Sequence, residues 1–316
     1  MTAGGIVVTD VRRSFGTVEA VRSVTLRAEP GRVTGLVGPN GAGKTTLLLM
    51  LASLLQPDAG EIRIGDVDPV AEPQRARALL GWMPDSLGAW PSLTVRETLV
   101  VSGRLYGMAR AEASQRADTL IRDLDLVPLA GAAARVLSRG QKQRLALARA
   151  LVHDPSVLLL DEPASGLDPQ ARVDLRVLLR RLAGEGRSIL VSSHVLSELE
   201  EVVDDAVFMV AGETVGADRI ARAAYRARSW RVRLVAGAGA AGAPSADDVS
   251  RVAAALGREV STIRADRRDL IIDVAADTDA AAALRALVEA GLPVLEFAPV
   301  TGDLEHTFLD LREPRA

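Results

Sequence analysis

The residues Val33–Val37 read as a short strand that leads straight into Gly38-Pro39-Asn40-Gly41-Ala42-Gly43-Lys44-Thr45. A helical stretch, Thr45–Leu55, follows. A strand, a glycine-rich loop and a helix in that order make a phosphate cradle. Glycines let successive backbone N–H groups turn inward with no side chain in the way of a phosphate. The helix start adds the positive end of its dipole. Lys44 offers a point charge to the β- and γ-phosphates, Thr45 a hydroxyl to Mg²⁺, and Thr46 completes the set of candidate contacts. Alone, the loop leaves GTPases, kinases and motor ATPases open.

A second run, Val157-Leu158-Leu159-Leu160, delivers Asp161-Glu162. An apolar strand of this kind is covered on both faces, and its carboxyl end is where α/β sheets bind ligands. Asp161 is the candidate Mg²⁺ partner, and Glu162 the candidate base for an attacking water. Without the cradle upstream, two acids before Pro163 would read as a solvated strand end.

Further strands are expected at Ile6–Val11, Leu79–Met83, Ile189–Ser192 and Val207–Val210. Helices are expected at Val95–Tyr106, Glu112–Leu126, Gly140–Val152, Pro169–Ala183 and Val195–Val203. Asp168 followed by Pro169 marks one helix start, a good N-cap before proline at the first helical position. The alternation argues for an α/β sheet over residues 1–217. A linker is expected at 218–228. From 229 to 316 the order becomes strand (Trp230–Val235), helix (Ala246–Leu256), strand (Val260–Ala265), strand (Leu270–Val274), helix (Asp279–Ala290) and strand (Pro293–Phe297). That βαββαβ order is ferredoxin-like. Ala236–Pro244 reads as a Gly/Ala-rich loop, and Leu304–Leu311 as a short amphipathic helix.

Composition narrows the classes. Net charge is −3, from 38 basic and 41 acidic residues, so no basic field draws nucleic acid. Cysteine is absent, which removes disulfides, thiolate metal sites and cysteine nucleophiles. No signal peptide is expected, and the apolar run Leu47–Leu55 is too short for a bilayer span.

Leu137-Ser138-Arg139-Gly140-Gln141 opens the helix that precedes the acidic pair. With it, the chain resembles the ATP-binding cassette superfamily, whose signature usually reads Leu-Ser-Gly-Gly-Gln. Arg139 takes the place of the first glycine. The resemblance runs over residues 6–216 and continues in order through Ser165-Gly166-Leu167-Asp168, which matches the D-loop, and His194, which matches the switch histidine. Phe15 matches the aromatic that stacks on adenine, with a plain core phenylalanine as the other reading. Asp85, after Pro84, stands where the family's Q-loop usually has glutamine, and is a candidate coupling and weak metal-contacting residue.

The resemblance implies a RecA-like P-loop core, an antiparallel β subdomain and a helical subdomain at about 85–152, and the element order adds a C-terminal α+β ferredoxin-like domain. It implies Mg·ATP hydrolysis in a head-to-tail dimer. Ser138, Arg139, Gly140 and Gln141 of one copy then complete the site formed by Lys44, Thr45, Asp161, Glu162 and His194 of the other. It also implies a separate multi-span permease, and so a peripheral place on the cytoplasmic face of the membrane. Trp90 is either an anchor for that permease or a packing residue of its own subdomain. The C-terminal domain is expected to be an accessory, dimer-stabilising addition. The style is that of bacterial drug, antibiotic or sodium export cassettes. Chromosome-maintenance relatives carry long coiled coils between P-loop and signature, and ribosome-associated ones carry two cassettes per chain. Neither feature is present here. A regulatory module that does not hydrolyse ATP would need damaged catalytic residues. His153 and His306 read as surface or capping residues.

Overall fold

A computed structural model describes residues 4–85, 88, 90–195, 199–200, 202–216, 220, 228–235, 243–275 and 277–300. The chain divides after Val215 into two compact units.

In the first unit, β1 (Ile6–Phe15), β2 (Val18–Ala28) and β3 (Val33–Val37) precede α1 (Lys44–Leu51). Then come β4 (Ala59–Ile64), α2 (Pro73–Leu79) and β5 (Leu80–Met83). The arm is α3 (Val95–Leu105), α4 (Arg110–Asp123) and α5 (Arg139–Ala150). The chain returns through β6 (Val157–Asp161), α6 (Pro169–Gly184), β7 (Ser188–Ser193), β8 (Asp205–Val210) and β9 (Glu213–Thr214).

These strands form one nine-stranded sheet in the order β4-β1-β2-β9-β8-β3-β7-β6-β5. From β8 to β5 neighbouring strands run parallel. β3, β6 and β7 are buried at every residue, as expected for parallel strands covered on both faces. The other end is antiparallel, with β1 paired to β2 and β4. Ile6, Val8, Val24, Leu26, Ile62 and Ile64 of that antiparallel part pack with Leu47, Leu48 and Leu51 of α1 in one apolar cluster. Helix α1 is thereby pinned with its first residue at the sheet edge.

In the arm, Thr94 and Glu97 form a capping box at the start of α3, which satisfies two orphan donors reciprocally. These hydrogen bonds from Thr94 hold the Glu97 carboxyl below its ordinary range. Arg96 grips Asp118 of α4 through two hydrogen bonds of 2.7 Å.

The second unit contains β10 (Arg228–Leu234), α7 (Ala246–Ala255), β11 (Arg264–Asp266), β12 (Asp269–Val274), α8 (Asp277–Glu289) and β13 (Val294–Pro299). Its sheet order, β11-β12-β10-β13, is antiparallel throughout. This is the ferredoxin-like arrangement. Val232, Val252, Leu270, Ile272 and Leu287 form its core. Across the strands, Arg231 meets Glu296 and Arg233 meets Asp269, each at 2.7 Å.

Several expectations need correction. The strand placed at Val260–Ala265 begins as a 3₁₀ turn, Val260–Thr262, and only Arg264–Asp266 pairs. Strands β2 and β4 and helix α2 carry no counterpart in the sequence reading. Helix α1 stops at Leu51, four residues short of the expected Leu55. The helix placed at Val195–Val203 lies partly outside the described residues, the Ala236–Pro244 loop and the linker at 218–228 largely so, and the terminal helix with His306 wholly so. Among the described residues, no helix is long and apolar enough to cross a membrane.

Candidate functional site

The glycine loop leaves the sheet at the carboxyl end of β3, between β7 and β8. Gly43 caps α1 with φ of +96°, and a Cβ there would lie 2.3 Å from the Ala20 carbonyl oxygen. A Cβ on Gly38 would lie 2.4 Å from the Met209 carbonyl oxygen. Both positions therefore exclude a side chain through backbone on neighbouring strands. Pro39 and Ala42 close the turn, with the Ala42 amide donating to the Pro39 carbonyl at 3.1 Å. Asn40 and Gly41 stand exposed at its tip.

Lys44 is buried, and its Nζ donates to the carbonyls of Gly38 at 2.6 Å and Pro39 at 3.2 Å. Burial pushes its ammonium below the ordinary lysine value, while Glu162 and Asp161 pull it back up. The positive charge thus sits inside the loop and faces two carboxylates. Thr45 Oγ1 donates to Asp161 Oδ2 at 3.0 Å. The other oxygen, Asp161 Oδ1, accepts from Ser192 Oγ at the end of β7. Asp161 is 2% exposed and held at both oxygens. A hydroxyl and one carboxylate are too few for an all-protein metal cage. They do suit Mg²⁺, which keeps waters and takes phosphate oxygens as further ligands. Among the described residues, no cluster of three or more His, Cys, Asp or Glu side chains forms a metal site.

Glu162 follows directly in a left-handed backbone conformation, φ +52°. Its amide lies 3.2 Å from both the carbonyl and the hydroxyl of Ser192. Its carboxylate oxygen Oε2 accepts from Ser193 Oγ at 3.3 Å and meets His194 Nδ1 at 2.9 Å. The cradle, the acidic pair and His194 thus share one edge of the sheet. Ser192 and Ser193 were missed by the sequence reading. Their only signal was position, two hydroxyls at the end of an apolar strand just before His194.

The remaining candidates lie on other elements. Ser138 and Gln141 form a capping box at the start of α5, with Ser138 N donating to Gln141 Oε1 at 2.9 Å. Arg139 donates to Ser165 Oγ at 2.8 Å. A Cβ on Gly166 would fall 2.6 Å from the Arg139 side chain, so the two segments touch within one chain. Gly140, at the first turn of α5, would meet only Leu167. Asp168 caps α6 by accepting from Ala171 N at 2.9 Å.

Phe15 is 48% exposed at the end of β1, so the core reading of that residue does not hold, and the Arg13 guanidinium covers its ring at 4.9 Å. Asp85 is exposed just beyond β5. Met83 is in register with Leu160, so Asp85 leaves the sheet edge beside the acidic pair. Trp90 is 38% exposed and stacks under the Arg149 guanidinium at 5.2 Å. With Trp82, Leu105 and Tyr106 it lines an open cleft on the arm side of the first unit. His153 is not the surface or capping residue expected. It is half-buried, stacks on Tyr106 at 3.6 Å, and meets the Leu80 carbonyl at 3.0 Å through Nε2. Burial lowers its pKa to about 4.

Comparison with known proteins adds to this geometry. The family profile described as ABC transporter matches residues 21–165. The chain is 37% identical over 215 residues to the ABC transporter ATP-binding protein NatA of Bacillus subtilis, covering 66% of this chain and 87% of that protein. It is 33% identical over 322 residues to the daunorubicin resistance ATP-binding protein DrrA3 of Streptomyces coeruleorubidus, covering 98% of this chain and 96% of that one. Among solved structures, it resembles a dimeric ATP-binding cassette in a post-hydrolysis state bound to ADP and Pi. The TM-score is 0.61 at 26% identity, over 67% of this chain and 97% of the other.

Proposed function

Since the chain belongs to the family of ABC transporter ATP-binding proteins, we propose that this ATPase works as a head-to-tail pair of cassettes driving export through a separate permease. The observation that carries the reading is the sheet edge where Thr45, Ser192 and Asp161 are joined by hydrogen bonds and Glu162 meets His194.

The chemistry follows from these contacts. Lys44 and the backbone amides of residues 40–46 hold the β- and γ-phosphates. Thr45 and Asp161 hold Mg²⁺, which when bound neutralises charge on the phosphate oxygens. Glu162 orients a water for in-line attack at the γ-phosphorus and takes its proton. The bond from that phosphorus to the β–γ bridging oxygen breaks, leaving ADP and inorganic phosphate. His194 holds the Glu162 carboxylate and stands on the γ-phosphate side. Phe15 offers its exposed face to adenine.

The partner copy supplies Ser138, Arg139, Gly140 and Gln141. The start of α5 is an anion site of the same physical kind as the cradle, with amides and a dipole aimed outward. Asp168 and the loop before it pass between the two sites. The Trp90 cleft is the surface offered to the permease, Asp85 passes motion between that surface and the nucleotide, and the ferredoxin-like unit is an accessory contact between copies. The relative named as a daunorubicin resistance ATP-binding protein supports an exporter at the cytoplasmic face of the membrane.

The experiment is Glu162→Gln on the full chain. ATP binding is expected to persist, turnover to collapse by about 10²-fold or more, and ATP to trap a dimer visible by light scattering. Adding Ser138→Arg is expected to abolish that dimer. Wild-type turnover in Glu162→Gln, or full activity as a strict monomer with Ser138 replaced, would sink the reading.

A further inference from the structure

Gln143 lies on α5, one turn beyond the helix start, and is 4% exposed. Its Nε2 donates to the Glu162 carbonyl at 3.1 Å. That carbonyl also accepts from the Ser165 amide at 3.1 Å. On the other side of the same residue, the Glu162 amide faces Ser192. Both peptide groups of Glu162 are therefore held, one from β7 and one from the arm.

The clamp matters because Glu162 is left-handed at φ +52°. A non-glycine residue there costs about 1–2 kcal/mol and persists only where its surroundings hold it. The backbone angle sets the direction of the side chain, so the same clamp aims the carboxylate. The remaining atom of the amide is telling. Gln143 Oε1 is buried with no hydrogen-bond partner, and the residue lines a cleft shared with Met83, Leu147, Leu167 and Leu178. A buried carbonyl without a partner costs about 1–3 kcal/mol. For packing alone, an apolar side chain would serve better at this position. The amide's one productive contact is the bond to Glu162.

We propose that Gln143 is a positioning residue for hydrolysis: it locks the Glu162 backbone in the left-handed state and ties the base to the helix that starts at Ser138. Displacement of α5 relative to β6 then releases the lock and swings the carboxylate away from the attacking water. The inference rests on the reading of Glu162 as the base.

The test compares full-chain Gln143→Met and Gln143→Leu with wild type by steady-state ATPase kinetics and thermal unfolding. The expected result is a kcat lower by about tenfold or more, with KM for ATP within about twofold. The unfolding midpoint stays level or rises, because an unpartnered carbonyl has gone. In a Glu162→Gln background, Gln143→Met is expected to cause no further loss. Three results would overturn the proposal: kcat near wild type in both variants, kcat and stability falling together, or neither variant folding. Wild-type turnover in Glu162→Gln alone would instead remove the underlying assignment of the base. A collapse there with active Gln143→Met would remove only the lock.

Discussion

His194 Nδ1 lies 2.9 Å from Glu162 Oε2, so the imidazole at the end of β7 holds the carboxylate at the end of β6. His194 is 45% exposed in its side chain and Glu162 only 13%, which places the histidine on the open side of the pair. Removing the ring frees the carboxylate to turn. His194→Ala is therefore expected to lower single-turnover hydrolysis by about 10- to 10²-fold while ATP still binds through Lys44 and the loop. Unchanged single-turnover rates would show that the contact is idle.

Thr45 and Asp161 define a second test. Thr45→Val keeps the shape and removes the hydroxyl that reaches Asp161 Oδ2. The Mg²⁺ concentration for half-maximal turnover is expected to rise about tenfold or more, and Thr45→Ser to restore most of it. A Mg²⁺ titration of both variants decides the matter.

The half-buried His153 makes stability depend on pH. Its folded pKa is lowered to about 4 from an ordinary 6.5, chiefly by burial. Above 6.5 both folded and unfolded chains hold it neutral, and its contribution is fully present. As pH falls below 6.5 the unfolded chain takes up a proton that the folded chain refuses, so stability drops until the folded ring titrates near 4. The loss between these limits is on the order of 3 kcal/mol. Urea unfolding at pH 7 and at pH 4.5, in wild type and His153→Phe, is expected to show a smaller drop in the variant. Equal drops would place the acid sensitivity elsewhere.

Trp90 tests the proposed permease surface. Its indole is partly exposed beneath Arg149, whose guanidinium also donates to the Gly88 carbonyl. Buried aromatic anchors carry much of an interface's energy, commonly about 2 kcal/mol or more each. Trp90→Ala is expected to cut co-purification with the membrane partner while leaving ATP affinity unchanged. Parallel loss of both would mark Trp90 as a packing residue of the arm.

Much of the molecule was legible in its sequence, for local reasons. The cradle after β3, the acids after β6 and the Asp168–Pro169 start of α6 depend on neighbours along the chain, where glycine, carboxylate and proline have fixed meanings. Strand β2, Val18–Ala28, was missed because its pattern mixes Glu19, Arg22 and Arg27 with the valines, as an antiparallel strand with one wet face must. Strand β4 is Ala59–Ile64, with only Ile62 and Ile64 buried, too little apolar signal to stand out. His153 was misread because its burial comes from Tyr106, 47 positions earlier in the chain, and its hydrogen bond from Leu80.

By itself, the amino-acid order marked the groups proposed to bear the chemistry, because phosphate loops, helix caps and apolar strands are written in short segments. Tertiary structure decided how those groups meet. Thr45 and Asp161 stand 116 positions apart and touch only because β7 lies between β3 and β6 and leaves their carboxyl ends level. The hold of Ser192 on Asp161, and of Gln143 on the backbone of Glu162, arises from sheet register and helix placement, and no local pattern encodes either contact.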